Sequence, residues 1–377
     1  MNRRAVLVVL ASSAIVTFLA APATAQGLYH LTDLGALSGG FSTAYGLNAN
    51  GQVAGYSRTA NGADHAFLYS GGIMQDLGTF GGTRSRAYGI NSSGQVVGDY
   101  IVAGLNRAFL YSAGTMQDLG TLGGPLSQAF AINDSEDIVG LSFTLTGAIH
   151  PFRFSSGVMQ DLGTTLASAT GRAWGINASG QIAGDAYPTG VVRAAVYEGG
   201  GIQYLGSLGG PFSTAGGINE NGVIVGSSTV ESGPYHAFQY SGGVMLDLGT
   251  LPGGSESFGL GINSSGQSVG FSNGDGFSQH GFLFDNGTVY DLNNLLDSSG
   301  VGWTVTEARA INDLGWIAGT ARGPHGDHAV LLTLVPEPST RALALGAAVS
   351  LVAIVLLRLR DHGRPKAAQF QARLAQW

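Results

Sequence analysis

With 377 residues and no cysteine, the chain is long enough for a large core and must hold it by packing and strand pairing alone. The formal net charge of −7 understates its acidity: residues 26–334 carry nine arginines and no lysine against 22 acidic side chains, near −13. A surface of that sign repels phosphate backbones, which excludes nucleic acid as an expected partner.

In chain order, Arg3 and Arg4 precede an apolar run from Ala5 to Ala21 and the small residues Ala23-Thr24-Ala25. That order predicts a secretory signal peptide over residues 1–25. From there to residue 334 a unit of about 43 residues recurs seven times, so the expected architecture is a ring or a rod. Its landmark reads His-Ala-Phe-Leu-Tyr at 65–69, Arg-Ala-Phe-Leu-Tyr at 107–111 and His-Pro-Phe-Arg-Phe at 150–154. It continues as Arg-Ala-Ala-Val-Tyr at 193–197, His-Ala-Phe-Gln-Tyr at 236–240, His-Gly-Phe-Leu-Phe at 280–284 and His-Ala-Val-Leu-Leu at 328–332.

The second block shows the unit. A short run, Ala87–Ile90, leads into an Asn91-Ser92-Ser93-Gly94 turn, then Gln95–Tyr100, a variable segment Ile101–Asn106, and Arg107–Ser112. A tight Ala113-Gly114 turn and a last run, Thr115–Gly120, complete it. Short strands with turn signals at this spacing predict an all-β fold. The third run is apolar on both faces and expects cover on both sides. The first run carries alternating small residues (Ala44 and Gly46, Ala87 and Gly89, Ala173 and Gly175), as crowded neighbouring sheets require.

The seventh block stops after its third run, while a spare fourth run, Tyr29–Gly35, stands before the first block. That displacement predicts a seven-bladed β-propeller of four-stranded blades over residues 26–334, closed by the N-terminal strand. The alternative, a linear β-solenoid, needs end caps, and none is visible.

Beyond Val335-Pro336-Glu337-Pro338-Ser339-Thr340, the apolar stretch Leu343–Leu357 and the basic Arg358, Arg360, Arg364, Lys366 and Arg373 predict one C-terminal transmembrane helix, with residues 361–377 a cytoplasmic tail. Residues 335–360 resemble the PEP-CTERM sorting signal of Gram-negative bacteria. The resemblance implies an exosortase-type sorting enzyme as partner, transient anchoring in the inner membrane, and delivery to the envelope or extracellular matrix. The repeated text from 28 to about 334 is similar to the HAF family of bacterial extracellular repeats, which implies a secreted protein and supplies no catalytic residues.

Candidate site residues follow from departures from the repeat. His65, His150, His236, His280 and His328 share one position with Arg107 and Arg193, a substitution no metal ligand tolerates, so they read as structural. Asp33, Asp76, Asp118, Asp161, Asp247 and Asp291 recur in the fourth run as expected hydrogen-bond acceptors. Asp134, Glu136 and Asp137 form an oxygen-rich turn, a weak candidate for Ca²⁺ with no other cofactor expected. His325 and His328 flank Asp327 in a second weak metal candidate. Arg84 and Arg86 offer a site for a carboxylate or sulfate. Tyr187, Tyr235 and Phe277, in the variable second loops, offer stacking faces for sugar rings.

No nucleophile elbow, zinc motif or phosphate loop is present. The expected function is a non-enzymatic surface or matrix interaction module that binds extracellular polysaccharide or an envelope protein. The alternative is a polysaccharide hydrolase or lyase using carboxylates in the channel.

Overall fold

Each repeat folds as the period-two pattern dictates, into a four-stranded antiparallel sheet, and seven such sheets succeed one another around an axis. This computed structural model describes residues 28–163, 170–188, 190–273 and 279–336. The signal peptide, most of the C-terminal sorting segment, the tail and Phe277 lie outside the described residues.

Blade two consists of Arg84–Ile90, Val96–Val102, Leu105–Ser112 and Thr115–Asp118. Two boundaries differ from the sequence reading. The first strand starts at Arg84, because Arg84, Ser85 and Arg86 pair with Ile101, Tyr100 and Asp99 although they are polar. The variable segment is mostly strand: Ala103 and Gly104 make a tight turn with positive φ, and Val102 pairs with Leu105.

Strand faces explain the landmark. Ala66 packs toward blade two with Ala87 and Phe109, while Phe67 packs toward blade seven with Ala318 and Ala329. Both are fully buried, so the run is covered on both sides as its composition requires. Seven apolar clusters result, one in each interface between blades. A serine clips most interfaces. Ser85 Oγ accepts from Ala66 N at 2.8 Å and donates to Gly78 O at 2.5 Å, tying the end of one blade to the start of the next.

The first strand of every blade carries a β-bulge at one position. In blade one Ala44 pairs with Gly55 and Gly46 with Ala54, leaving Tyr45 outside the ladder. The bulge pulls the backbones together, so a Cβ on Gly55 would lie 2.0 Å from Thr43 O, and one on Gly98 would lie 1.9 Å from Arg86 O. Glycine in the second strand is therefore the partner of the bulge, which is why every repeat has it.

Closure is as the displaced run predicts. Tyr29–Asp33 pairs antiparallel with Gly326–Leu334 and completes the last sheet. Tyr29 is fully buried, and Asp297 N donates to its carbonyl at 2.9 Å, so the strand is also held by the approach to blade seven.

Asparagine turns join the blades at one end. Asn91 Oδ1 accepts from Gln95 N within its own turn, and its side-chain amide reaches Asn133 O of the next blade at 3.3 Å. The same reach runs from Asn48 to Asn91, Asn133 to Asn177, Asn177 to Asn219, Asn219 to Asn263 and Asn263 to Asn312. These side chains are buried, and each satisfies its polar atoms across a blade boundary.

Candidate functional site

The bulged residue of each first strand is freed from the ladder, and bulges re-aim side chains. Here they aim inward. Tyr45, Tyr88, Phe130, Trp174, Gly216, Leu260 and Arg309, one from each blade, line a single cavity of ≈ 810 Å³ at the centre of the ring. First strands run toward the asparagine turns, so the cavity opens on the opposite face, among the second loops. Phe143 and Ile149, flanking the second loop of blade three, line the same space.

The wall is strongly asymmetric. On one side the rings of Tyr45 and Tyr88 meet edge to face at 5.2 Å, Tyr88 and Phe130 at 5.7 Å, and Phe130 stacks on Trp174 at 4.4 Å. This continuous aromatic arc spans four successive blades. On the other side Gly216 and Leu260 leave room. Two residues before the bulge, Gln128, Arg172 and Thr214 add a polar and cationic tier toward the mouth, with Phe258 at the same level. Arg309 stands over the Tyr45 ring at 4.2 Å and Arg172 near the Trp174 ring at 5.7 Å, within the range of cation–π attraction.

Behind this wall sit two buried carboxylates. Asp99 and Asp185 occupy equivalent second-strand positions in blades two and four, and each is 1 % exposed. Asp185 Oδ2 accepts from Trp174 Nε1 at 2.7 Å and from Thr214 Oγ1 at 3.1 Å. Asp99 Oδ2 accepts from Gln128 Nε2 at 3.3 Å and has Arg84 at 3.7 Å. The Oδ1 atom of each has no hydrogen-bond partner. Burial pushes both carboxyl pKa values above the ordinary range. On the neighbouring wall, burial pushes the Tyr56 phenol up to about 12. Glu307, beside Arg309 at 2.5 Å, lines an adjoining cavity of ≈ 610 Å³ together with Tyr45.

The sequence-predicted residues fall into two groups. Tyr187 and Tyr235 lie at the mouth: Arg172 is 6.0 Å from the Tyr187 ring, and Tyr235 stacks on Phe258 at 5.5 Å, which stacks on Phe271 at 4.8 Å. Arg84 and Arg86 lie on the same side of the ring, each facing a carboxylate of this chain. Arg86 binds Asp64 at 2.6 Å and stands 4.5 Å from the Tyr56 ring.

Asp134, Glu136 and Asp137 lie on the opposite, asparagine-turn face and turn to three different partners. Asp134 accepts from Ser92 N, Glu136 from Gln95 Nε2, and Asp137 pairs with Arg153 at 2.6 Å. Glu220 and Asp313 repeat the Asp134 contact on Ala178 N and Ser264 N, which makes it a joint between turns. Among the described residues no three His, Cys, Asp or Glu side chains are grouped to hold a metal ion. Asp327 pairs instead with Arg322, and His328 with Asp33.

The recurrent histidines pair with the recurrent aspartates, as in His65–Asp76 and His236–Asp247, both at 2.9 Å. Arg107–Asp118 makes the same contact at 2.8 Å, and Asp76 also caps Gly78 N. In blade four Arg193 has Tyr204 in place of the aspartate.

Sequence reasoning missed the channel residues Tyr45, Tyr88, Phe130, Trp174, Arg172 and Arg309. The available signal was a column that varies between two small residues that do not. The bulge broke the alternation that would have assigned that column a direction.

Neither a family model nor a curated protein matches the sequence. Solved structures do. Puromycin hydrolase is 14 % identical over 78 % of this chain and 52 % of its own, with a TM-score of 0.51. The β-propeller domain of the Trilobed protease from Pyrococcus furiosus is 8 % identical over 81 % of this chain and 95 % of its own, with a TM-score of 0.49. TolB from Acinetobacter baumannii is 10 % identical over 74 % of this chain, which spans 63 % of the TolB chain, with a TM-score of 0.42. Likeness at these identities extends to the propeller fold and no further.

Proposed function

We propose that the protein is a secreted, envelope-sorted interaction module that binds extracellular polysaccharide at the mouth of its channel without turning it over. The aromatic arc from Tyr45 to Trp174 carries this reading. Sugar rings present apolar C–H faces that pack on aromatic side chains, and their hydroxyls use a few placed polar groups such as Gln128 and Thr214. An envelope protein presenting the same chemistry is the other ligand of this surface.

Residues 1–25 support secretion, and the PEP-CTERM-like segment supports handling by an exosortase-type enzyme after transient anchoring in the inner membrane. Among the described residues no helix is long and apolar enough to cross a membrane. The first and last described segments lie side by side, with Val335 N donating to Leu28 O at 2.8 Å. Leu334 lies beside Gly315 of the last asparagine turn, so a tether there leaves the channel mouth facing away from it.

The second reading, a polysaccharide hydrolase or lyase, is favoured by Glu307 in the cavity that adjoins the channel at Tyr45. One experiment separates the two. The mature chain is incubated with a panel of extracellular polysaccharides, and both retention and product release are measured. Binding without product supports the module. Product formation abolished by Glu307→Gln establishes the enzyme instead.

A further inference from the structure

We infer that the channel subsite at Trp174 takes an anionic pyranose, a uronate or a sulfated sugar, whose ring lies against the indole and whose anion pairs with Arg172. This inference rests on the polysaccharide reading above and gives it a ligand class.

Charge placement is the first argument. The repeat body is near −13 with only nine arginines, yet Arg84, Arg86, Arg172 and Arg309 lie on or beside the channel wall. Asp99, Asp64 and Glu307 offset three of these charges, so the place where an anion is least repelled is beside the fourth, Arg172.

Arg172 differs from its neighbours. Arg84, Arg86 and Arg309 each have a carboxylate within 4 Å. Among the described residues Arg172 has no such ion pair, and it stands between the rings of Trp174 and Tyr187. Aromatic neighbours orient a guanidinium without neutralising it, and its planar fork suits a carboxylate or sulfate. A cationic ligand is disfavoured because Arg172 and Arg309 already occupy the positions beside these rings.

The platform itself is held from behind. Burying a carboxylate is costly unless it is well partnered, and Asp185 is 1 % exposed with one oxygen unpartnered. Its other oxygen fixes the Trp174 indole and the Thr214 hydroxyl, both on the cavity wall. Asp185 faces Arg172 across the strand pair but makes no ion pair with it within 4 Å, its placed oxygen being taken by Trp174 and Thr214. Asp185 is thus a positioning residue that pre-orients the ring a sugar would lie on.

Calorimetric titration of the mature chain with three oligosaccharides tests this: an oligogalacturonate, its carboxyl-reduced neutral counterpart, and a sulfated galactan oligosaccharide. At least one anionic ligand should bind at least about tenfold more tightly than the neutral one, and the tighter one identifies the anion. Arg172→Gln should erase that preference, bringing the affinity for the anionic ligand down to that for the neutral one measured on the same variant. Arg172→Lys, which keeps the charge, serves if the first variant fails to fold and should retain part of the preference. Equal binding of neutral and anionic ligands overturns the inference and leaves the polysaccharide reading standing. An undiminished preference in Arg172→Gln overturns the assignment to this subsite. Binding of none of the three overturns the inference, and retention on the polysaccharide panel then decides the wider reading separately.

Discussion

Asn312 donates its side-chain amide to the backbone oxygen of Asn48 at 3.1 Å, across 264 residues of sequence. The bond joins the last blade to the first and shuts a belt in which every asparagine turn holds the next. Asn312 Oδ1 meanwhile accepts from Leu314 N and Trp316 N, so one buried side chain serves both its own turn and the closure. Asn312→Ala should therefore cost about 1–3 kcal/mol, because it strands buried polar groups on two blades. Urea denaturation measures this, and a change below about 0.5 kcal/mol would show that the belt is incidental.

The bulge and its glycine make a second, stricter demand. A methyl group on Gly98 would lie 1.9 Å from Arg86 O, a backbone atom that cannot swing aside. Gly98→Ala should destabilise the protein by about 3 kcal/mol or more, or prevent folding. Gly72, in an exposed turn with nothing within 4 Å, is the control. Only its positive φ opposes Gly72→Ala, at a cost of about 1–2 kcal/mol.

At the blade rim the carboxylate matters more than its partner. Asp76 binds His65 and caps Gly78 N, and Arg107 already fills the histidine position in blade two. His65→Arg should leave the unfolding midpoint within experimental error, whereas Asp76→Ala should cost about 1 kcal/mol. The reverse order in thermal melts would assign the histidine a role beyond this contact.

Asp185 gives a pH-dependent prediction. Burial raises its folded pKa above the ordinary 3.8, so the folded state binds the proton more tightly than the unfolded chain does. That contribution is fully present below 3.8 and is lost as pH rises through the folded value. Asp185→Asn retains an acceptor for Trp174 Nε1 and removes the ionisation. The variant should be more stable than the natural protein at neutral pH, with the difference shrinking as pH falls toward 3.8. A difference that grows toward acid would reverse the assigned sign.

Much of the fold was legible because repetition makes the argument seven times over. Tyr29–Asp33 was readable as the missing strand, since only a closing ring needs a fourth run placed before its first block. Ala66 and Phe67 were readable as doubly covered. The site was only half legible. Tyr187 and Tyr235 belong to variable loops and do stand at the mouth, but Tyr88 and Trp174 sit inside strands, where variation looks like tolerated packing. Their direction depends on a bulge, which is set by pairing with another strand and not by local alternation. Asp134, conversely, looked exceptional, and only the neighbouring turns, with Glu220 and Asp313 in the same role, make it ordinary.

The proposed function places binding on the non-repeating channel wall and not on the repeated His-Ala-Phe run. The most direct test compares Tyr88→Ala with His236→Ala for retention on whichever extracellular polysaccharide binds the natural protein, at matched folded fraction. The account predicts at least a tenfold loss for Tyr88→Ala and unchanged binding for His236→Ala. Unchanged binding by Tyr88→Ala together with loss in His236→Ala would contradict it.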